Sequence, residues 1–292
     1  MRPGRPYLRT FPMLLLACCL ALPLSGCTEE KANALQVAAK QFRNESLSAL
    51  DLYESFTIST IRGTRENQDE TVAFLVGKLK EHGKKVDLPI FNALLNYGHE
   101  SDAAVEPLKE EFSELKKYYT LFASIFDSVQ RGHYFNKEAV ARAEHVSIKL
   151  TLQLIQYAET LKEHSGYMFT ADRARALDRL NKALESNNDA DLRSAVEDIL
   201  SIRNREDTAK AAVITQLLKA AEAGRIVTES IKDYGNLTAN DILNNITDGL
   251  NVFAGLNIAG VDTDGLIAKY ADYAQSVRSD PYWGPVLDMP IN

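Results

Sequence analysis

The sequence predicts an all-α protein, a mostly antiparallel multi-helix bundle of one or two helical subdomains. Three observations carry that reading. Apolar residues recur at steps of three and four over long stretches, as one face of a helix requires. Helix start signals are legible at several points. The only stretch that alternates like a strand has no partner strand anywhere in the chain.

Taken in order, the first body helix spans about Asn33 to Ile61 and carries Leu35, Phe42, Ala49 and Phe56 at seven-residue spacing. That spacing suits near-parallel packing of long helices. Asp87 ahead of Pro89 marks another start, since proline is tolerated in a first turn. The clearest helix covers 105–131, where Val105, Leu108, Phe112, Leu115, Tyr119, Phe122, Phe126 and Val129 fall on one face and Pro107 sits near the start. Tyr118, Leu121 and Ile125 widen the stripe, so this helix is expected to touch more than one neighbour. Phe135-Asn136 followed by Val140 reads as an asparagine cap with a hydrophobic staple. Residues Val146 to Leu154 alternate apolar and polar, but their flanks are rich in helix formers. A central helix contacting neighbours on two sides is therefore expected there.

The break His164-Ser165-Gly166-Tyr167 is the candidate boundary between a bundle over 33–165 and a second helical part over 166–280. Thr170 is placed to cap a helix bearing Ala174, Leu177, Leu180 and Leu184. Ser186 to Asp189 then turn the chain into a helix with Leu192, Val196 and Ile199, completing a hairpin. Further helices are expected over 208–234 and 239–255, the latter opened by the capping box Thr238-x-x-Asp241 flanked by Leu237 and Ile242. Asp262 or Thr263 caps a last helix over 263–278. The tail 281–292 contains Pro281, Pro285 and Pro290 and the only tryptophan, Trp283. It is expected to be irregular and docked on the bundle.

The amino terminus is a different material. Arg2, Arg5 and Arg9 precede an apolar stretch from Phe11 to Leu24, interrupted by Pro12 and Pro23. A spanning helix needs ~20 apolar residues, so a signal h-region fits better than a transmembrane anchor. The segment ends Leu24-Ser25-Gly26-Cys27, which resembles the lipobox of bacterial lipoproteins. The resemblance covers roughly the first 28 residues. It implies cleavage between Gly26 and Cys27, removal of residues 1–26, and palmitate-type acylation of Cys27, with 27–32 as the lipidated end and a short tether. It also implies a cell-envelope location. Thr28, rather than aspartate, after the cysteine implies outer-membrane sorting with the body facing the periplasm. Several acyl chains make a stable anchor, where one binds a bilayer only marginally.

Cysteine usage agrees with that placement. Cys18, Cys19 and Cys27 all lie at or before the cleavage point, so the mature body has no thiol for disulfides, nucleophilic catalysis or cysteine–zinc sites. Removing 26 of the 292 residues leaves 266 and takes away three arginines but no acid, moving the formal net charge from −7 to −10. That balance argues against nucleic acid as a partner, because phosphate contacts need a basic footprint.

No motif assigns a chemistry to the body. None of His82, His99, His133, His145 and His164 has a glutamate three positions before it, as a helical di-metal site requires. Asp262-Thr263-Asp264-Gly265 resembles the middle of an EF-hand loop. Aligned on the glycine, however, its end positions are Gly260 and Ala271, which cannot supply the oxygen ligands. Gly255 and Gly260 have Walker spacing, but Val261-Asp262 stand where lysine and a hydroxyl residue belong. No G-x-S-x-G elbow occurs. The aromatic stripe Phe112, Tyr119, Phe122 and Phe126 is expected to be core rather than a pocket lining. No catalytic, metal or cofactor residue is nominated. The expectation is a lipid-anchored, non-enzymatic envelope protein that acts through protein–protein contact or as an accessory factor. A ligand-binding lipoprotein with an interhelical pocket is the alternative, and an uncharacterised hydrolase the third.

Overall fold

A computed structural model describes residues 11–81, 105–129, 137–163, 168–186 and 188–281. Among these are seven α-helices and one short 3-10 turn, and no strand. The helices are α1 (Phe11–Glu81), α2 (Val105–Val129), α3 (Lys137–Glu163), α4 (Thr170–Ser186), α5 (Asp189–Lys232), α6 (Ala239–Ala254) and α7 (Thr263–Arg278), with the turn at Ile258–Gly260 between the last two. Asp87 with Pro89, the Phe135-Asn136 cap, the 164–167 break, Asn187, and all of the tail beyond Pro281 lie outside the described residues.

The register of polar contacts gives the helix directions. From Gln36 to Glu54 along α1, the partners on α2 run backwards from Asp127 to Lys116, so the two helices are antiparallel. Likewise Lys31 lies beside the Tyr234 carbonyl and Glu45 meets Gln216 and Lys219, which sets α5 antiparallel to α1. On α3, Ser147 meets Thr228 and Lys162 meets Lys210 of an opposed α5. The helix α5 is thus the central stave, packed against α1, α3, α4, α6 and α7.

Why α5 can be central is written in its small residues. Ala220, Ala221, Ala223 and Gly224 are all buried and let neighbours approach closely. At Gly224 a Cβ would lie 2.1 Å from Thr151 Oγ1 and 2.7 Å from the Phe42 ring, so only glycine fits the three-way contact of α1, α3 and α5. Burial of hydroxyls is compensated at this crossing. Thr228 Oγ1 donates to the Gly224 carbonyl at 2.8 Å, and Thr151 Oγ1 donates to the Ser147 carbonyl at 2.7 Å.

One contiguous core contains side chains from Ala34 to Ala274, drawing on residues from both sides of 164–167. The heptad positions Leu35, Phe42, Ala49 and Phe56 are all buried in it. So are Phe112, Leu115, Tyr119, Phe122 and Phe126, with Phe42 edge-on to both Tyr119 and Phe122. The alternating stretch in α3 is helical, and Val146, Ser147, Ile148, Leu150, Thr151, Leu152 and Leu154 are buried on more than one side. Start signals match as well. Thr238 and Asp241 form a reciprocal capping box, and Asp262 accepts from Gly265 N to cap α7; the structure adds a cap not read from the sequence, Asn188 at the start of α5.

Four expectations need correction. The separate helices expected around Leu192–Ile199 and over 208–234 are one helix of 44 residues. The polar run 203–208 holds no glycine or proline to break it, and Ile202 and Glu206 keep its inner face buried. Within the α4–α5 hairpin the apolar face is rotated. Ala176, Ala183, Ala195 and Ile202 are buried, whereas Leu177, Leu184 and Val196 are exposed, because alanines permit the closer helix approach. Thr170 is the first residue of α4, and its hydroxyl donates to Glu66 of α1 rather than capping. On α2, Tyr118 and Leu121 are exposed, and only Ile125 of the three flanking residues packs on the core.

The first helix also runs further than 33–61 in both directions. Its backbone is helical through the apolar amino-terminal stretch and through residues 27–32, with Ala32 already buried. Five helical residues span about 7.5 Å, against ~18 Å if extended. Among the described residues no helix is long and apolar enough to cross a membrane.

Candidate functional site

A recess lined by described side chains lies where α1, α2 and α3 meet, with a volume of about 840 Å³. Here α2 packs mainly on α1 and only lightly on α3, and the recess lies between them. From α1 come Tyr53 and Thr57, from α3 Leu150, Gln153 and Tyr157, and from α2 the turns from Pro107 to Tyr118.

Its floor is aromatic. Tyr53 is edge-on to Phe112 at 5.5 Å between centroids and tilted against Tyr157 at 4.9 Å, while Phe112 and Tyr157 are 6.4 Å apart. Such pairs are favourable beyond their buried area and hold each other rigid. Beneath them, Tyr119 is fully buried and donates its hydroxyl to the Leu150 carbonyl at 2.8 Å. Burial pushes the phenols of Tyr53 and Tyr157 above the usual tyrosine range, for each the largest cause. At Tyr157 a hydrogen bond from Gln153 Nε2, 2.9 Å long, opposes the rise and the charge of Glu111 adds to it. All of these rings are therefore neutral at physiological pH.

The rim is acidic. Glu110, Glu111 and Glu114 are exposed along one edge, and among the described residues no lysine, arginine or histidine lines the recess. The Thr57 hydroxyl donates to its own helix at the Tyr53 carbonyl. The lining thus offers apolar surface, ring faces, acceptors and negative charge, but no activated nucleophile with an adjacent base.

A second polar cluster ties α7 to α5. Glu222 is buried, takes both Nε and Nη2 of Arg225 at 2.9 and 2.7 Å, and accepts the Tyr270 hydroxyl at 3.0 Å. Burial alone would raise the Glu222 carboxyl; the Arg225 hydrogen bond and charge, with Tyr270 and Lys269, bring it below the usual range. Nearby, burial and the charge of Glu229 push Tyr273 up to about 12. With its oxygens taken, Glu222 is a clamp between helices. A third set braces the hairpin: Glu206 accepts from Arg173 and from Met168 N, and Arg205 lies over the Phe169 ring while pairing with Asp172.

Of the residues singled out from the sequence, Cys27 and Gly26 lie within α1, and the core aromatics divide. Phe112 lines the recess, while Tyr119, Phe122 and Phe126 are core. Of the histidines only His145, on α3, falls among residues with described side chains, and no group of three His, Cys, Asp or Glu there is arranged to hold a metal ion. Sequence reasoning missed Tyr53 and Tyr157. A weak signal existed for Tyr53, which continues a second seven-residue row through Ala39 and Ser46, both buried. No protein-family profile, curated protein or solved structure matches the chain.

Proposed function

We propose that this chain is a lipid-anchored binding protein of the bacterial cell envelope, non-enzymatic, that holds a small ligand in the recess between α1, α2 and α3. The observation that carries the binding half is the recess itself: an open, aromatic-floored recess of about 840 Å³ with acceptors at its edge, a size within the range of ligand sites. The anchoring half rests on the resemblance of Leu24 to Cys27 to a lipobox, and outer-membrane placement facing the periplasm on Thr28.

Two measurements test it. Thr57→Trp fills the recess from α1 at a half-buried position. Full-length protein purified from its host and analysed by native mass spectrometry should carry a small-molecule adduct that the Thr57→Trp variant lacks. Equal spectra for both, with no adduct on either, would remove the binding reading. For the anchor, Cys27→Ala should abolish incorporation of a palmitate analogue and block processing to the mature size; undiminished label on the variant would sink the lipoprotein assignment.

A second reading, contact with a protein partner in the envelope, has its own support. The α4–α5 hairpin exposes Leu177, Leu184, Val196 and Leu200 on its surface. Crosslinking in cells with a photoreactive residue at 184 distinguishes it, a discrete adduct favouring that reading.

A further inference from the structure

Resting on the reading of the recess as a ligand site, we propose that its ligand is an alkylammonium, with the carbon body on the aromatic floor and the ammonium facing Glu110 and Glu111. The floor supplies the first reason. Tyr53, Phe112 and Tyr157 form continuous ring contacts next to Leu108, Leu115 and Leu150. Ring faces carry negative electrostatic potential and attract cations, while the leucines accept methylenes.

The distribution of charge supplies the second. Among the described residues, the only charged ones lining the recess are three glutamates. Glu114 is already engaged by Lys117, whereas Glu110 and Glu111 have no cationic partner among the described residues. Their helix has lysines to spare, and every one is committed elsewhere: Lys109 to Glu106, Lys116 to Asp51 and Glu54, and Lys117 to Glu114. No described cation compensates the negative edge on this side. Glu111 is close enough for its charge to be felt at the Tyr157 phenol, so the acidic rim and the aromatic floor act on the same space. Gln153 donates its amide to Tyr157, which leaves its carbonyl as a further acceptor.

An anion meets repulsion here, and a neutral alkane leaves the carboxylates unused. A bare metal ion or ammonium fills little of about 840 Å³. The combination selects a cationic head joined to a carbon chain.

The test is calorimetric titration of the full-length chain in an uncharged maltoside detergent at low salt, with detergent-only blanks. Hexylammonium, hexanol and hexanoate are compared as ligands of one length and three charges. Hexylammonium should saturate at one site with an affinity about tenfold above hexanol, the scale of one cation–π contact plus an exposed ion pair; hexanoate should not bind. The double variant Glu110→Gln, Glu111→Gln changes only exposed side chains. It should lower hexylammonium affinity about fivefold or more and leave hexanol unchanged, with an unaltered melting curve. Equal affinity for hexylammonium and hexanol, or indifference of hexylammonium to the double variant, overturns the cationic class while sparing the ligand site. Preference for hexanoate overturns it likewise. If none of the three saturates, the alkylammonium proposal fails, and the ligand-site reading is judged separately by the adduct comparison at Thr57.

Discussion

Replacing Phe122 by alanine is expected to lower the unfolding free energy by ~3–5 kcal/mol, because the site combines lost transfer energy with a cavity that cannot collapse. The ring is 1 % exposed and is held edge-on by Phe42 at 5.7 Å and Phe126 at 5.2 Å, one on α1 and one on its own helix. Neither neighbour is free to swing in, since Phe42 is also wedged against Gly224 and Tyr119. Phe122→Asp should be worse, as it places an unpaired carboxylate where no donor waits. Urea melts of the chain from Thr28 onward, which retains every side chain of the core, provide the check. An unchanged midpoint with either variant means the ring is not buried as described.

Removing Arg225 is expected to cost about 3 kcal/mol, the low end for breaking a buried pair because the guanidinium is partly exposed. What is lost is the compensation of Glu222, whose side chain is 7 % exposed against 29 % for the arginine. The pH dependence identifies the cause. In the intact protein the Glu222 carboxyl titrates below its usual value, so its contribution is present above the unfolded value and fades as pH falls through the folded one. In Arg225→Ala, burial acts unopposed by that arginine and pushes the same carboxyl up, so protonation relieves the variant. The stability gap between the two should therefore be widest near neutrality and shrink toward pH 4. A gap independent of pH would mean that Arg225 acts through packing of its methylenes alone. The apolar double replacement Glu222→Leu, Arg225→Met should recover most of the loss.

Much of this architecture was legible because it depends on one helix at a time. The apolar stripe of α2, the seven-residue row from Leu35 to Phe56 and the caps at Thr238 and Asp262 are local patterns, and each appears where the residues place it. The α4–α5 hairpin was misread because hydrophobicity ranks leucine above alanine, whereas the approach of two helices ranks size first. Leu177 and Leu184 were thus displaced outward by Ala176 and Ala183. The recess was illegible for a different reason. Tyr53, Phe112 and Tyr157 sit on three helices, 45 or more positions apart in sequence, and nothing in any one segment fixes how lightly α2 packs on α3.

The unbroken course of α1 sets the geometry of any chain held at Cys27. A helix advances about 1.5 Å per residue, so the 26 steps from Cys27 to Tyr53 place the aromatic floor about 39 Å along the axis from the point of attachment. The end nearest the lipid would be the one where Lys31 meets the turn at Tyr234. A stiff mast of this kind does two things that a slack leash cannot. With the chain anchored at Cys27, it would hold the mouth of the recess at a set height, clear of headgroups and acyl chains. It would also tie the tilt of the bundle to the way its base sits on the bilayer, so that anything pressing on the base would reorient the mouth above.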